Sequence, residues 1–312
     1  MVGIVMSDVC FDRICIVGIG LIGSSLARAI TERGVAKVLV IADSDGDTLA
    51  RAKDLSLGDH YETDVKIAVK DCDLVMLCVP VGAMSAVAAE MKSALKQGAV
   101  VSDVGSVKES VVKALSPHIP EGVHLIPGHP VAGTEKSGPD AGLKDLFVDR
   151  WAILTPLENS DADMVEKLKF FWQALGSKVD MMDVKHHDLV LAITSHVPHL
   201  IAYNIVGTAS DLEEVTKSEV IKYSAGGFRD FTRIAASDPT MWRDVFLNNK
   251  EAVLEMLGRF SEDLTALQRA IRWDDADGLY NLFSRTREIR SRIIDAGQDS
   301  DSVDFGRPHG ED

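Results

Sequence analysis

Hydrophobic positions change their spacing near the middle of the chain. In the first half they gather into short, nearly continuous runs: Arg13 to Val17, Lys37 to Ala42, Asp73 to Pro80 and Ala99 to Val104. Such runs fit strands of a parallel sheet covered on both faces. Helical spacing fills Ser24 to Arg33, Ala83 to Leu95 and Val107 to Leu115. This alternation predicts an α/β fold with a Rossmann-type doubly wound sheet, whose ligands bind beyond the strand C-termini where the strand order reverses. Arg150 to Pro156 and Lys178 to Met181 read as further strands, separated by the amphipathic stretch Asp161 to Leu175.

From Asp183 onward almost every segment has helical periodicity, so an all-helical C-terminal domain is expected. Residues 1–12 read as an N-terminal extension, 13–183 as the dinucleotide-binding domain, 184–296 as a helical substrate and dimerisation domain, and 297–312 as a polar, acidic, disordered tail. Asn249 to Ile271 and Asp274 to Ile294 carry apolar stripes suited to a core and a dimer interface.

Composition narrows the function classes. With 46% hydrophobic and 26% charged residues in 312, the chain reads as a soluble globular protein. No apolar run approaches the ~20 residues that a membrane helix needs, and the opening is a poor secretory signal. A cytoplasmic location with no membrane partner is therefore expected. A formal net charge of −15 opposes nucleic-acid binding. Cys10, Cys15, Cys72 and Cys78 form no Cys-x-x-Cys pair and read as reduced thiols, with no metal site implied.

Chemistry enters with Gly18-Ile19-Gly20-Leu21-Ile22-Gly23, which follows a strand and opens a helix. That context suits a dinucleotide fingerprint: tight turn, backbone approach to a pyrophosphate, and close helix packing. Asp43 ends the second strand, where a carboxylate accepts from ribose hydroxyls and repels a 2′-phosphate. NAD is thereby favoured over NADP. Asp43 also suits the start of a turn, and Asp45 or Asp47 a helix cap.

A second cluster begins at Asp103-Val104-Gly105-Ser106-Val107-Lys108. Ser106 reads as a helix N-cap, with Glu109 completing a capping box, at the mouth of the cofactor cleft. Ile126 to Gly138 sets His129 between Gly128 and Pro130 and then supplies Thr134 and Glu135. Its backbone suits neither regular helix nor central strand and reads as an active-site loop. Further on, His196 and His199 are three apart on one helix face, where Pro198 should kink the helix. They fit an anion site better than a metal, and one of the two also suits a satisfied core histidine. Arg233, in Asp230-Phe231-Thr232-Arg233-Ile234-Ala235, offers a bidentate donor to a carboxylate, or an ordinary ion pair on a helix face.

Together, Gly18-x-Gly20-Leu21-Ile22-Gly23, Asp103-x-Gly105-Ser106-x-Lys108, Gly128-His129-Pro130-x-Ala132-Gly133-Thr134-Glu135, Thr194-Ser195-His196-x-Pro198-His199 and Asp230 to Ala235 resemble the prephenate/arogenate dehydrogenase family of tyrosine biosynthesis. The resemblance implies NAD(P)-dependent oxidative decarboxylation of prephenate, arogenate or both. It implies His129 as general base, Ser106 as orienting hydroxyl, Arg233 with His199 and His196 as the anion site, and Thr134 and Glu135 in the substrate pocket. By the same resemblance Asp230 forms an ionic gate with Glu135 and Arg233, while Gly226 and Trp242 come from the partner of a homodimer. No segment after Ile294 is long enough for a regulatory domain, so any feedback by tyrosine would act at the active site. The alternatives are another two-domain Rossmann dehydrogenase, such as a β-hydroxyacid dehydrogenase or a pyrroline carboxylate reductase, or a non-catalytic dinucleotide sensor.

Overall fold

The computed structural model describes residues 9–134, 136–216, 222 and 226–295. Glu135, residues 1–8 of the N-terminal extension and the tail 297–312 lie outside the described residues. By packing, the chain forms two compact units, Met1–Leu254 and Glu255–Asp312.

The first unit is built on a six-stranded parallel sheet. Its strands are β1 (Phe11–Val17), β2 (Ala36–Ala42), β3 (His60–Glu62), β4 (Leu74–Leu77), β5 (Val100–Asp103) and β6 (His124–Leu125). They lie in the order β3-β2-β1-β4-β5-β6, which places the reversal between β1 and β4. Alternate side chains feed opposite cores. Ile14, Ile16, Leu74 and Met76 join the side that holds Leu26, Phe147 and Trp172. Cys15, Val17, Val75 and Leu77 join the other, with Met84, Val111, Leu115 and Trp242. Each fully buried aliphatic contributes roughly 1.5–3 kcal/mol. Two-sided burial is why these runs read as nearly unbroken apolar stretches.

The helices around the sheet include α1 (Leu21–Arg33), α2 (Gly46–Asp54), α3 (Val65–Ala68), α4 (Met84–Met91), α5 (Glu109–Leu115) and α6 (Ala162–Ala174). Asp45 caps α2 by accepting from Asp47 N, and Asp161 caps α6. Three further strands, β7 (Gly128–Pro130), β8 (Trp151–Leu154) and β9 (Lys178–Met181), form a second sheet in that order. β7 is an edge strand, antiparallel to β8, with His129 opposite Ile153. Gly128 to Pro130 is therefore strand rather than loop. An edge strand accommodates proline, which donates nothing to the ladder.

From Val184 the chain is helical. α7 (Val184–Leu191) runs into a π-helical turn, Ala192–His196, and then into α8 (Val197–Thr216). The π turn closes on a bond from Val197 N to the Ala192 carbonyl. It absorbs the disturbance expected from Pro198 by widening the backbone at a proline that has no N–H to give. The run Val184–Asp211 is also, by length and composition, long and apolar enough to cross a membrane, contrary to the reading of the apolar runs. The sequence disguises this by spacing His187, Asp188, His196 and His199 through the run. Leu191, Ala192, Val197 and Ala202 of this run are buried within the unit, while Leu189, Ile193, Ile205 and Val206 are exposed.

Further helices span Gly226–Thr232, Pro239–Asn248, Lys250–Arg272 and Ala276–Asp295. Asp238 caps the second of these and Pro239 occupies its first turn.

Candidate active site

The Gly-rich turn lies at the C-terminus of β1 and has the form a dinucleotide requires. Gly18 sits at φ 95°, and a Cβ there would come within 2.7 Å of the Cys78 carbonyl oxygen at the end of β4. A Cβ on Gly23 would run into the Gly18 carbonyl oxygen, so the third glycine seats α1 on the turn. Gly20 has open space where its Cβ would be. It also stands as N-cap of α1 without a side-chain cap, so the first amides of a 13-residue helix remain available to an anion. Leu21 and Ile22 begin that helix. The Asp43 carboxylate accepts from Ile19 N at 2.9 Å and Asp45 N at 3.0 Å, tying the second strand's end to the Gly-rich turn. These residues fit a dinucleotide.

Across the sheet, β5 ends at Asp103, which is fully buried. Its carboxylate accepts from Gly105 N at 2.8 Å and from Gly128 N at 3.1 Å, and it pairs with the ammonium of Lys108. Lys108, equally buried, also donates to the Gly128 carbonyl at 2.6 Å. Burial pushes the Lys108 pKa down while the Asp103 charge opposes that shift. This buried ion pair grips both backbone groups of Gly128 and so fixes the strand residue before His129.

His129 is 7% exposed. Its Nδ1 lies 2.9 Å from Nε2 of His187, and the His187 Nδ1 lies 2.9 Å from Oδ1 of Asp188. Burial holds the His129 pKa well below the ordinary histidine value, and positive charge at His187, Lys108 and His196 adds to this. His129 is consequently a neutral imidazole over the physiological range, the protonation state a general base requires.

Ser106 is half-buried and does not cap a helix. Lys108 is the N-cap residue of α5, but its side chain does not cap the helix, and the capping is done from 80 residues away. The Asp188 carboxylate accepts from Lys108 N at 2.7 Å and Glu109 N at 2.9 Å. The capping box fails because a negative group from α7 reaches the helix start first, leaving the Ser106 hydroxyl without a hydrogen bond among the described residues.

His196 and His199 both lie against Trp242. His196 is fully buried; its Nδ1 accepts from the Asn249 amide at 3.1 Å, and the same amide donates to the Asp188 carbonyl at 2.8 Å. Neutral His196 therefore carries its proton on Nε2, which makes no well-formed hydrogen bond but lies near enough to the Ser106 backbone for that group to favour the protonated ring. Burial lowers its pKa to about 4. His199 donates from Nδ1 to the Ser195 carbonyl at 2.8 Å and stacks on Trp242 with ring centroids 3.7 Å apart. Its pKa is lowered by burial, with a contribution from the nearby charge of Arg233. Trp242 is buried against histidines of its own chain, its ring centroid 6.0 Å from that of His196.

The other sequence candidates lie at the surface. Thr134 is exposed, its hydroxyl accepting from Lys136 N at 3.2 Å. Gly226 begins its helix, and the Asp230 carboxylate accepts from Arg229 at 3.3 Å. Arg233 is exposed on a 3-10 turn, Arg233–Ala236. The gate from Asp230 through Glu135 is not described, since Glu135 lies outside the described residues.

The sequence reading missed His187, Asp188, Lys108 and Asn249. The available signal was a buried-type helix face bearing His187 and Asp188 in place of apolar residues.

Comparison with known proteins fits this geometry. The family model for the nucleotide-binding domain of prephenate dehydrogenase matches residues 26–181, and that for its dimerization domain matches residues 183–285. The chain belongs to the prephenate dehydrogenase family. Cyclohexadienyl dehydrogenase of Zymomonas mobilis is 43% identical over 280 residues, covering 90% of this chain and 95% of that one. Prephenate dehydrogenase from A. aeolicus, solved with hydroxyphenyl propionate and NAD+, superposes with a TM-score of 0.84 at 33% identity, covering 90% of this chain and 98% of the other. Synechocystis arogenate dehydrogenase gives 0.74 at 26% identity, covering 90% and 99%. In this prephenate dehydrogenase family member the nucleotide-binding match and the Gly-rich turn fall on the same sheet domain.

Proposed function

We propose that the protein catalyses NAD-dependent oxidative decarboxylation of a cyclohexadienyl substrate, giving 4-hydroxyphenylpyruvate from prephenate, tyrosine from arogenate, or both. The observation that carries this reading is His129: a neutral, buried imidazole on a strand locked by Asp103 and Lys108, with one ring nitrogen committed to His187. Bound NAD supplies the acceptor for the hydride leaving C4 of the ring. His129 takes the proton of the C4 hydroxyl, and ketone character develops at that carbon. The electron demand is conjugated through the ring to the carbon bearing the carboxylate. Carbon dioxide leaves and the ring becomes aromatic, which makes the step effectively irreversible.

Ser106 orients the hydroxyl and the nicotinamide, its free hydroxyl being suited to both. Arg233 holds a substrate carboxylate, His196 offers its Nε2–H, and His199 completes the anion site. Thr134, Asp230, Gly226 and Trp242 line the pocket or its entrance. The Asp43 carboxylate supports NAD over NADP. A homodimer is consistent with the dimerization-domain match.

Incubation with NAD and either prephenate or arogenate should give steady NADH absorbance, and His129→Asn should lower turnover by about 100- to 10,000-fold while NAD affinity stays near wild type. NADH from neither substrate would favour a different Rossmann dehydrogenase or a sensor. Unchanged turnover in the variant would remove His129 as the base.

A further inference from the structure

We propose that His187 and Asp188 are positioning residues for the base: Asp188 fixes the tautomer of His187, which holds His129 with its proton on Nδ1 and leaves Nε2 bare for the substrate. This rests on the dehydrogenase reading above. All three residues are buried, at 7%, 0% and 3% exposure for His129, His187 and Asp188, so bulk water does not scramble their hydrogen bonds.

Each proton position follows from its neighbour. The Asp188 carboxylate already accepts from two backbone amides, Lys108 N and Glu109 N, and an ionised carboxylate has only acceptors to offer. The His187 Nδ1, 2.9 Å from Oδ1, is therefore its donor. A neutral imidazole has a single N–H, so the His187 Nε2 is an acceptor. The His129 Nδ1, 2.9 Å away, must then donate. The neutral His129 ring has no second proton, and its Nε2 carries the lone pair.

When Nε2 takes the substrate's hydroxyl proton, the Nδ1–H bond to His187 persists and shares the imidazolium charge. Asp188, on the far side of His187, supplies the compensating negative charge. Lys108 and His196 also face His129, and Lys108, Asp103 and Asp188 face His187. Lys108 is neutralised by Asp103, so Asp188 is left to offset the proton that His129 acquires.

Long-range nitrogen-proton NMR of the purified protein reads the tautomer without turnover, with His129→Asn assigning the signal. Wild type should show His129 protonated at Nδ1 and bare at Nε2. His187→Leu should lose that tautomer and lower kcat by about 10- to 100-fold, with KM changed less than about threefold. His187→Gln, whose amide oxygen accepts from Nδ1, should recover most of the loss. Asp188→Asn should move the acidic limb of kcat to lower pH by removing the compensating charge. Because Asp188 also caps α5, a poorly folded Asp188→Asn shifts the decision to the His187 pair. A wild-type tautomer and kcat in His187→Leu overturn the proposal. If wild type makes no NADH from either substrate, the dehydrogenase reading fails, while the NMR measurement still decides the tautomer.

Discussion

His129, His187, His196 and His199 all hold protons less readily than free histidine, with burial the leading cause for each. Unfolding exposes them to water, where they protonate near pH 6.5. Between that value and the lower folded values the unfolded chain binds more protons, so stability is retained above about pH 6.5 and declines as pH falls. His196, with a folded value near 4, should by itself cost on the order of 3 kcal/mol by pH 4. Urea melts at pH 7.5, 6 and 5 check this, and a His196→Gln variant should lose less stability over the same range. His129 was legible because glycine and proline on either side marked an irregular, polar segment. His187 and Asp188 were not, since their partners are 58 and 80 residues away and no local pattern records such pairings.

At the scale of elements, the Gly-rich turn separates two demands that the sequence motif merges. Gly20→Ala meets no neighbouring atom, so it should leave the melting temperature within a few degrees while weakening NAD binding at least about tenfold, because the methyl occupies ligand space. Gly23→Ala collides with the Gly18 backbone and should lower both stability and NAD affinity. Calorimetry with and without NAD distinguishes them; equal effects of the two substitutions would contradict this division. The long strands were readable because both faces are apolar. His60–Glu62 and His124–Leu125 escaped notice because two or three residues carry no period, and Gly128–Pro130 because proline argues against any strand but an edge. Ser106 as a cap was a local inference overruled by a carboxylate from another helix.

For the whole molecule, the clearest unfinished surface is in the second unit. Trp273, Tyr280 and Phe283 are 69%, 72% and 58% exposed, and Leu264, Ile271, Ile289 and Ile293 are exposed as well. Apolar residues at this density are characteristic of a protein interface, and the family's dimerization-domain match, residues 183–285, takes in Leu264, Ile271, Trp273, Tyr280 and Phe283. Light scattering should therefore give a dimer mass, and Tyr280→Glu with Phe283→Glu should shift it toward monomer. A dimer unaffected by that pair would move the interface elsewhere. The helical second half was legible from spacing alone, whereas the packing of Val184 to Leu254 with the sheet was not, because it is made by isolated polar residues such as Asn249 and by aromatic Trp242.

The π turn has an angular consequence. Nine residues separate His187 from His196, and an α-helix advances about 100° per residue, so an unbroken helix would set them about 180° apart. The wider turn takes up one residue, reducing the advance to about 80°. Both imidazoles thus enter the same side of the protein, where Asp188 and its backbone carbonyl meet His187 and Asn249. One surplus residue in a helix brings two histidines from opposite faces to within about a quarter turn of each other.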